Sequence, residues 1–452
     1  MYQIKNIFLI MVVGILLTTG CNKWDDHNRI TDSNLNINLL EAIQSSSNLS
    51  TFTSLLVKSG YADTLASSRV FTVYAPTNDA LSSIAAGLET NLDSLKKFVA
   101  NHIAITAYYT QSVTGTQRIR VQSGKYHNIT NAAIDDIAYI TKDIAARNGV
   151  IQVIGTALPI LMNTWEFAVN DSRMPELQKV LLVDSIGTLF RSRVYNLNDE
   201  SKNFTFFALQ DAAWQSEIDR YKPYTNVLNN ADSTTKVAGW VVVKDLVVDT
   251  LYKTAADIPD TIVSKSGVRV GINQSSIVST IKTSNGIVYI LNSIEVPFRN
   301  KFMDIIIQGE NYSSASANRL SNTSIRDKTD SATGGIFRDV LVYNHGVARF
   351  NLRYRLTEIP SIKYQAYWMA LNDNINGMTA PFSQKIGVDS FNSPTPNYEV
   401  VQLNTYAEQF AGEFTLTQYK PTFNLYLVAA NSTSANVNAL VCNYIRLVPV
   451  FE

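Results

Sequence analysis

The first candidates for acid–base or metal chemistry in this chain are its four histidines. They stand far apart, at His27, His102, His127 and His345, and none of them forms a metal-ligand spacing. His102 lies in the apolar stretch NHIAI, where a structural role is expected because a catalytic base needs a partner within reach. We therefore predict no metal site and no catalytic histidine.

An acidic pair, Asp135 and Asp136, is the second candidate for acid–base chemistry. Adjacent strand residues point to opposite faces, so the two carboxylates cannot act together on one substrate, and a solvated turn is the better interpretation. The sequence contains no GxSxG nucleophile elbow, phosphate-binding loop or dinucleotide fingerprint. These observations predict a protein that is not an enzyme and that uses no cofactor.

Aromatic side chains in the last third of the chain are the best candidates for ligand contacts. Sugar rings stack on aromatic faces while polar side chains hydrogen-bond the hydroxyl groups. Tyr367 and Trp368 are adjacent, so only one of them can face a core, and Phe382 and Tyr398 lie in loop-like stretches. We predict these four as ligand-binding residues. The alternative for each is a place in the core or at its rim.

The N-terminus indicates export and a lipid anchor. Lys5 precedes a short apolar run, Ile7–Leu17, which is too short to span a bilayer and is typical of a secretory signal. The following TTGC, which ends at Cys21, resembles a bacterial lipobox, although its first threonine stands where leucine is usual. We predict residues 1–20 as a lipoprotein signal peptide and Cys21 as the lipid-bearing residue. The alternatives are an uncleaved anchor, or ordinary cleavage that leaves a free thiol.

Residues 21–35 have no periodicity and are predicted to form a tether. The letters KWDD from Lys23 resemble the export signal of surface-exposed lipoproteins in some Gram-negative bacteria; the alternative is a solvated tether. We predict an outer-membrane protein that faces the cell exterior and contacts the membrane through its N-terminal lipid. Basic and acidic residues balance at 38 each and no basic patch is visible, so nucleic acid is not an expected partner.

Two ordered motifs occur twice and predict a duplicated domain. FTVYAPTNDAL begins at Phe71 and FTFFALQDAAW at Phe204, while NGVIQVI begins at Asn148 and NGIVYIL at Asn285. With a helix-like opener in each copy, three anchors recur in one order at offsets of roughly 125 to 137 residues. A duplicated module favours a binding or spacer protein over an enzyme.

The first copy, residues 36–161, resembles the fasciclin-like (FAS1) domains. The matching positions are Pro76, Thr77 and Asn78 after an apolar strand, His102, and Asn148-Gly149 before another apolar strand. Asn101 stands where the family carries a tyrosine beside the histidine. The resemblance implies a twisted β-wedge with helices packed against it, and an adhesive use of the junction at Pro76 to Asn78. The alternative is a junction that is only structural.

The second copy, residues 162–299, is degenerate. The letters ALQD from Ala208 stand where the first copy has APTN, and no histidine occupies the place of His102. The Asn-Gly pair at Asn285 survives, and both such pairs are expected to serve turns, with glycine supplying a positive φ. We predict a second FAS1 domain that keeps the fold, and we leave open whether it keeps a binding role.

Residues 300–452 are β-rich. Leu352 and Tyr354 alternate with Arg353 and Arg355, which predicts a half-buried strand with a basic, polar face in water. About eight strands with loops rich in Asn, Ser, Thr and Gly predict a jelly-roll sandwich, with Cys442 as a buried thiol. The letters NYIRL near the end resemble the last strand of galactose-binding-like carbohydrate-binding modules. The predicted fold class is α+β: two FAS1 domains in tandem followed by an all-β jelly-roll sandwich.

These features predict a lipid-anchored cell-surface binding and adhesion protein. The FAS1 domains would form an adhesive stalk, and the terminal sandwich would bind glycan. The expected partners are a glycan or a host or matrix surface ligand, and the proteins of an outer-membrane glycan-uptake system. The alternative is a protein–protein adhesion or structural surface protein with no sugar ligand.

Overall fold

The computed structural model describes residues 36–316, 320–377 and 380–451. The predicted signal peptide, Cys21 and the tether lie outside these residues. The described chain separates into two compact units. One unit runs to Asn163 and includes Asp199–Lys202 and Thr283–Asn285, and the other contains the remaining described residues. Within the ranges described, no helix is long and apolar enough to cross a membrane.

The first unit is an α+β domain built on one mixed sheet. Its helices are α1 (Leu39–Gln44), α2 (Ser50–Ser59), α3 (Tyr61–Ala66), α4 (Asn78–Leu81), α5 (Ala85–Leu88) and α6 (Leu92–Asn101). Its strands are β1 (Phe71–Pro76), β2 (Ile103–Ala104), β3 (Gln117–Arg120), β4 (Tyr126–Ile129), β5 (Ala133–Ile134), β6 (Ile137–Ala146) and β7 (Gly149–Ile154). The sheet order is β2-β1-β7-β6-β5-β4-β3.

The strands β1 and β7 form the parallel pair at the centre of this sheet. Phe71 lies opposite Gly149 and Pro76 opposite Ile154, and every residue of both strands is buried. Burial on both faces explains why these strands are continuous apolar runs rather than alternating ones. Side chains on one face of the pair pack against the helices and form one core. On the other face, Tyr74 and Ile154 pack with side chains of β3, β4 and β5 in a second core.

The second unit begins with a region of similar design. Its helices are α7 (Thr164–Asn170), α8 (Glu176–Leu181), α9 (Gly187–Arg193), α10 (Asp211–Tyr221) and α11 (Ala231–Val243), with a π-helical turn at Leu182–Ile186. Its strands are β8 (Phe204–Leu209), β9 (Val247–Val248), β10 (Thr261–Val263), β11 (Arg269–Gly271), β12 (Ile277–Thr283) and β13 (Gly286–Leu291). The strands β8 and β13 run parallel with Phe204 opposite Gly286, which repeats the register of β1 and β7.

The rest of the second unit is an antiparallel β-sandwich that follows a short helix, α12 (Phe298–Lys301). Its strands are β14 (Ile305–Gln308), β15 (Ser314–Ala315), β16 (Thr323–Thr329), β17 (Ile336–Val342), β18 (Asn351–Ile359), β19 (Lys363–Met369), β20 (Phe382–Val388), β21 (Glu399–Val401), β22 (Gln409–Thr415), β23 (Lys420–Ala429), β24 (Leu440–Cys442) and β25 (Tyr444–Val450). The sequence predicted fewer strands because several, such as β15 and β24, are too short to show a pattern.

The sandwich strands form three sheets around one core. The sheet orders are β14-β25-β19-β22, β15-β18-β23-β20-β21 and β16-β17-β24. In β18, Leu352 and Tyr354 are buried in the core, so Arg353 and Arg355 point to the outer face of the five-stranded sheet, as the alternation predicted. Cys442 is a fully buried free thiol, and burial raises its pKa.

An aromatic cluster joins the sandwich to the α+β region within the second unit. Its members are Tyr221, Tyr224, Phe298, Phe302 and Phe451. Phe451 follows the last strand, and its ring lies 5.7 Å from that of Phe298 and 6.1 Å from that of Tyr224, between ring centroids. The cluster therefore packs residues of both regions against each other.

Candidate functional site

The strand-to-helix junction after β1 is held by its own side chains. Pro76 ends β1 and is buried, and Thr77 is the N-cap of α4, with its Oγ1 accepting a backbone N–H at 3.3 Å. Asn78 Oδ1 accepts the Thr51 N–H at 2.9 Å, and its Nδ2 donates to the Ser47 carbonyl at 2.9 Å. These side chains therefore fix the junction to the start of α2, which is the structural role that the sequence left as the alternative to adhesion.

His102 is buried at the C-terminal end of α6. Its Nδ1 donates to the Phe98 carbonyl at 2.8 Å, and its Nε2 accepts the Leu158 N–H at 2.9 Å. Burial lowers the pKa of His102 to about 3, because a charged ring would lose its hydration without gaining a counter-ion. With both nitrogens engaged and no exposed surface, the ring is a structural element and not a catalytic base.

Asn148 and Gly149 bring three segments of the first unit together. Asn148 Oδ1 accepts the Leu39 N–H at 2.8 Å, and its Nδ2 donates to two carbonyls at the end of α3 at 2.8 and 2.6 Å. Gly149 has a φ of 149°, and a Cβ there would lie 2.0 Å from the Phe71 carbonyl oxygen. The pair serves the packing of β7 against β1.

Asp135 and Asp136 form the turn between β5 and β6, with φ values of 45° and 69°. Asp135 Oδ2 lies 2.5 Å from His127 Nδ1, and the other ring nitrogen of His127 lies 3.1 Å from Asn101 Oδ1. The predicted turn is present, but Asp135 is paired with a buried histidine rather than simply solvated. No cluster of three or more His, Cys, Asp or Glu side chains in the described part of the chain is placed to hold a metal ion.

The four aromatic residues predicted as ligand contacts divide into two buried and two accessible ones. Trp368 and Phe382 are 0% and 2% exposed and belong to the sandwich core. Their prediction as ligand contacts is wrong, because their rings offer no face to solvent; Phe382 begins β20 instead of lying in a loop. Tyr367 and Tyr398 are half-buried and lie on different outer faces of the sandwich.

Tyr367 lies on the outer face of the four-stranded sheet. The register places it opposite Phe410 of β22 and Arg446 of β25. The ring of Phe410, which is 46% exposed, lies 5.7 Å from the Tyr367 ring, and the Arg446 guanidinium lies 5.1 Å from that ring. The Arg446 guanidinium donates hydrogen bonds to the Glu408 and Asp304 carboxylates, and these bonds raise its pKa. This face is aromatic, and Arg446 is paired there with two carboxylates.

Tyr398 lies on the outer face of the five-stranded sheet. Its hydroxyl donates to the Ala429 carbonyl at 3.0 Å, and the Lys385 ammonium lies 5.2 Å from its ring centroid. On the same face, Phe391 and Tyr426 form an edge-to-face pair with centroids 6.2 Å apart. Phe391, Phe410 and Tyr426 were not predicted from the sequence. Only Tyr426 has a local signal, since it alternates with the buried Leu425 and Leu427.

Comparison with solved structures gives likenesses at low TM-scores. A FAS1 domain pair from the insect cell adhesion molecule Fasciclin I is 14% identical at a TM-score of 0.23, and the match covers 56% of this chain and 98% of that one. The CBM36-1 domain of a multidomain xylanase from the hindgut metagenome of Trinervitermes trinervoides is 11% identical at 0.23, covering 33% and 99%. A family 35 carbohydrate binding module from Clostridium thermocellum is 14% identical at 0.22, covering 32% and 98%. These likenesses carry no part of the functional argument.

Sequence comparison gives a firmer result. Protein sll1483 of Synechocystis sp. is 29% identical over 141 residues, which cover 27% of this chain and 73% of that protein. The family model of the Fasciclin domain matches residues 47–160. This match confirms the resemblance that the sequence motifs of the first copy predicted, and residues 47–160 of this chain are a fasciclin domain.

Proposed function

We propose that this chain is a lipid-anchored cell-surface binding protein, held through Cys21 in the outer membrane and facing the cell exterior. The fasciclin domain and a second, degenerate one at residues 162–299 form an adhesive stalk. The terminal sandwich, residues 300–452, binds glycan without chemical turnover. In this role the protein is accessory to an outer-membrane glycan-uptake system.

The observation that carries the proposal is the aromatic character of the outer faces of the sandwich. Tyr367 and Phe410 meet on one face, and Tyr398, Tyr426 and Phe391 lie on the other. A single exposed aromatic residue is ordinary, but grouped rings on an open sheet offer a surface on which the C–H faces of a sugar can stack. Polar and charged neighbours on the same faces are available to the hydroxyl groups.

The second fasciclin domain is supported by a repeated hydrogen-bond pattern. Thr72 Oγ1 of β1 donates to the Thr106 carbonyl at 2.7 Å, and Thr205 Oγ1 of β8 donates to the Thr250 carbonyl at 2.7 Å. Each hydroxyl also accepts a backbone N–H two residues beyond that carbonyl, at 2.7 and 3.0 Å. By contrast, Gln210 caps α10 without a side-chain hydrogen bond. This shared pattern supports a second fasciclin domain, although the junction that follows its first strand differs.

A glycan array probed with the full chain in detergent tests the proposal. We expect binding to at least one class of polysaccharide, weakened tenfold or more by Tyr367→Ala/Phe410→Ala or by Tyr398→Ala, because stacked rings contribute much of the affinity for sugars. The control is Ile336→Ala, which removes an 81% exposed apolar side chain of β17. Absence of binding to every glycan would contradict the proposal, and release of sugar from a bound polysaccharide would make the protein a hydrolase.

A second candidate function is protein–protein adhesion without a sugar ligand. A stripe of apolar side chains at three-residue spacing favours it: Leu177, Val180 and Val183, on α8 and the π-helical turn, are 42%, 44% and 56% exposed. Grouped exposed apolar residues often mark protein contacts. Capture of a partner protein that ignores free sugar and is lost in Val180→Asp/Val183→Asp would favour this function over glycan binding.

A further inference from the structure

Three arginines, Arg349, Arg353 and Arg355, lie on the outer side of the five-stranded sheet together with Lys385, which is only 6% exposed. We call them, with Tyr398 and Tyr426, the basic face. We propose that the basic face binds an anionic polysaccharide, one that carries carboxylate or sulfate groups along its chain. This inference rests on the proposed glycan-binding function and names the class of glycan.

The backbone aligns two of the cations along β18 and places Arg349 just before that strand. Arg353 and Arg355 are alternate residues of β18, so they point to the same face at a separation of about 7 Å along the strand. Arg349 precedes β18 in a turn with a φ of 54°, and its Nη1 donates to Asn392 Oδ1 at 3.0 Å. That contact orients its guanidinium towards the loop that borders the same face.

Lys385 brings a fourth positive charge from β20. The register sets it opposite Val428 of β23, which in turn lies opposite Asn351 of β18, so the three occupy one row across the sheet. Its Nζ donates to the Ser393 carbonyl and lies 5.2 Å from the Tyr398 ring centroid. Burial, and then the charge of Arg349, lower the pKa of Lys385, which agrees with two cations held close together.

The four cations have no carboxylate partner among the residues that the structure describes. Other cations of the sandwich are paired: Arg326 with Asp339, Arg338 with Asp327, Lys363 with Glu413, Arg446 with Glu408, and Lys420 with Asp389. Asp389, which begins the loop beside this face, is thus already occupied by Lys420 at 2.8 Å. Like charges held together without a counter-ion repel one another, so an incoming anion is favoured.

The aromatic side chains of the basic face suit a sugar rather than a simple anion. Tyr426 lies opposite Gly387, where a Cβ would approach the Ser390 carbonyl oxygen to 2.6 Å. The glycine therefore lets the following loop close onto the sheet and sets Phe391, which is 37% exposed, against the Tyr426 ring. Rings for stacking thus alternate with guanidinium groups, which bind carboxylate and sulfate oxygens in a bidentate manner.

Matched ligands test the inference with the full chain in detergent. We expect polygalacturonate, or a sulfated polysaccharide such as heparin, to bind at least tenfold more tightly than the methyl ester of polygalacturonate, which keeps the sugar backbone and loses the charge. The affinity should fall as the salt concentration rises, because charge pairs at an exposed face are screened. Isothermal titration calorimetry measures both effects.

Matched variants locate the site. Arg353→Gln/Arg355→Gln should weaken binding of the anionic polysaccharide at least tenfold, while Arg338→Gln/Lys363→Gln, which removes two paired cations elsewhere on the sandwich, should leave it within twofold. Both double variants change the net charge equally, and an unchanged melting temperature excludes unfolding as the cause.

Each other outcome has a definite meaning. Equal affinity for polygalacturonate and its methyl ester, or unchanged binding by Arg353→Gln/Arg355→Gln, overturns the basic face as the site while glycan binding itself stands. Equally tight binding of single-stranded DNA, lost in the same variant, also overturns the inference, because the face would then be a general anion binder. No binding to any glycan would refute the proposed function together with this inference.

Discussion

A helix end is completed by different side chains in the two α+β regions. In the first unit, His102 donates to the Phe98 carbonyl in the last turn of α6. The register of β2 on β1 and of β9 on β8 makes Leu246 the counterpart of His102, and leucine cannot donate. There the Lys301 ammonium donates to the Val241 carbonyl of α11 at 2.6 Å and to Asp245 at 2.6 Å. A cation at a helix C-terminus also complements the helix dipole.

His102 should make the fasciclin domain less stable in acid. Its pKa is about 3 in the folded protein against 6.5 for an ordinary histidine, so the unfolded chain binds a proton that the folded chain cannot. Stability is therefore full above pH 6.5 and falls as the pH is lowered towards 3, by up to about 1.4 kcal/mol per pH unit. In His102→Gln this part of the pH dependence should disappear, as measured by urea unfolding of the first unit from pH 7 to 4. Parallel curves for the two proteins would show that the ring already titrates normally.

Lys301 and Asp245 form a buried ion pair whose partners need each other. Burial alone would raise the pKa of Asp245, but the charges of Lys301 and Lys244 outweigh it and lower that pKa to about 2. Lys301→Met leaves a fully buried carboxylate short of its main partner and should reduce the free energy of unfolding by about 3–5 kcal/mol. Asp245→Asn/Lys301→Met should recover part of the loss in urea titrations. A double variant no better than the single one would indicate that the lysine acts by packing alone.

The same pair predicts a second acid-sensitive range. A lowered carboxylate pKa contributes stability that is present above the ordinary value of 3.8 and is lost as the pH falls towards 2. Acid unfolding of the second unit, followed from pH 5 to 2, should therefore be steeper in the wild-type protein than in Asp245→Asn. Equal slopes would contradict the assignment.

For single residues such as Tyr367 and Trp368, the sequence could show that only one can face the core, but not which. Alternation along a strand shows that Tyr367 and Trp368 face opposite sides, but the buried side is decided by pairing with β22 and β25, which are distant in the chain. His102 was easier to interpret, because an apolar surrounding without an acidic neighbour already favours a structural ring.

At the scale of elements, the two parallel strand pairs depend on glycine for different reasons. Gly149 has a positive φ and also lies close to β1. Gly286 has no positive φ. A Cβ at Gly286 would still lie 2.3 Å from the Phe204 carbonyl oxygen. The expectation that both glycines supply a positive φ is therefore wrong for Gly286; close contact between parallel strands is the requirement that both share.

Gly149→Ala should disrupt the parallel pair of the fasciclin domain. The new Cβ would lie 2.0 Å from the Phe71 carbonyl oxygen, so the strands must separate, and a loss of several kcal/mol is expected. The control is Gly87→Ala in α5, where no atom lies within 4 Å of the added Cβ; it should stabilise the helix by about 0.5–1 kcal/mol. Melting temperatures compare the two, and a Gly149→Ala protein that melts like the wild type would show that the strands can relax.

The sequence could predict the buried strands, but it could not predict which side chains share a surface of the folded protein. β1, β7, β8 and β13 are six-residue apolar runs next to recognisable turn residues, which is a local signal. The basic face is assembled from β18, β20 and a loop that are separated in sequence, so no charge cluster is visible along the chain. No basic patch is visible in the sequence, but the folded sheet brings basic side chains from distant segments together.

At the scale of the whole molecule, the repeat indicated two similar regions but not how they divide into compact units. The region from Thr164 shares a unit with the sandwich, because α12 and the aromatic cluster connect them. Those aromatic residues fall at a domain boundary and after the last strand, where the sequence carries no periodic signal.

The proposed anchor makes a prediction for the full-length protein. Cells fed an alkyne analogue of palmitate should label the wild-type protein and Cys442→Ala, but not Cys21→Ser, because Cys21 is the proposed lipid-bearing residue and Cys442 is fully buried. In-gel fluorescence after click chemistry reads the result. Label on Cys21→Ser, or an unlabelled wild-type protein, would refute the lipid anchor.

The aromatic cluster determines where the chain can be cut if the sandwich is to be fused to another protein. A fusion protein that begins at residue 300 lacks Tyr224 and Phe298, so the rings of Phe302 and Phe451 become exposed to solvent. We expect such a protein to aggregate and to be poorly soluble. A fusion protein that begins at Thr164 contains the whole cluster and should be soluble and monodisperse.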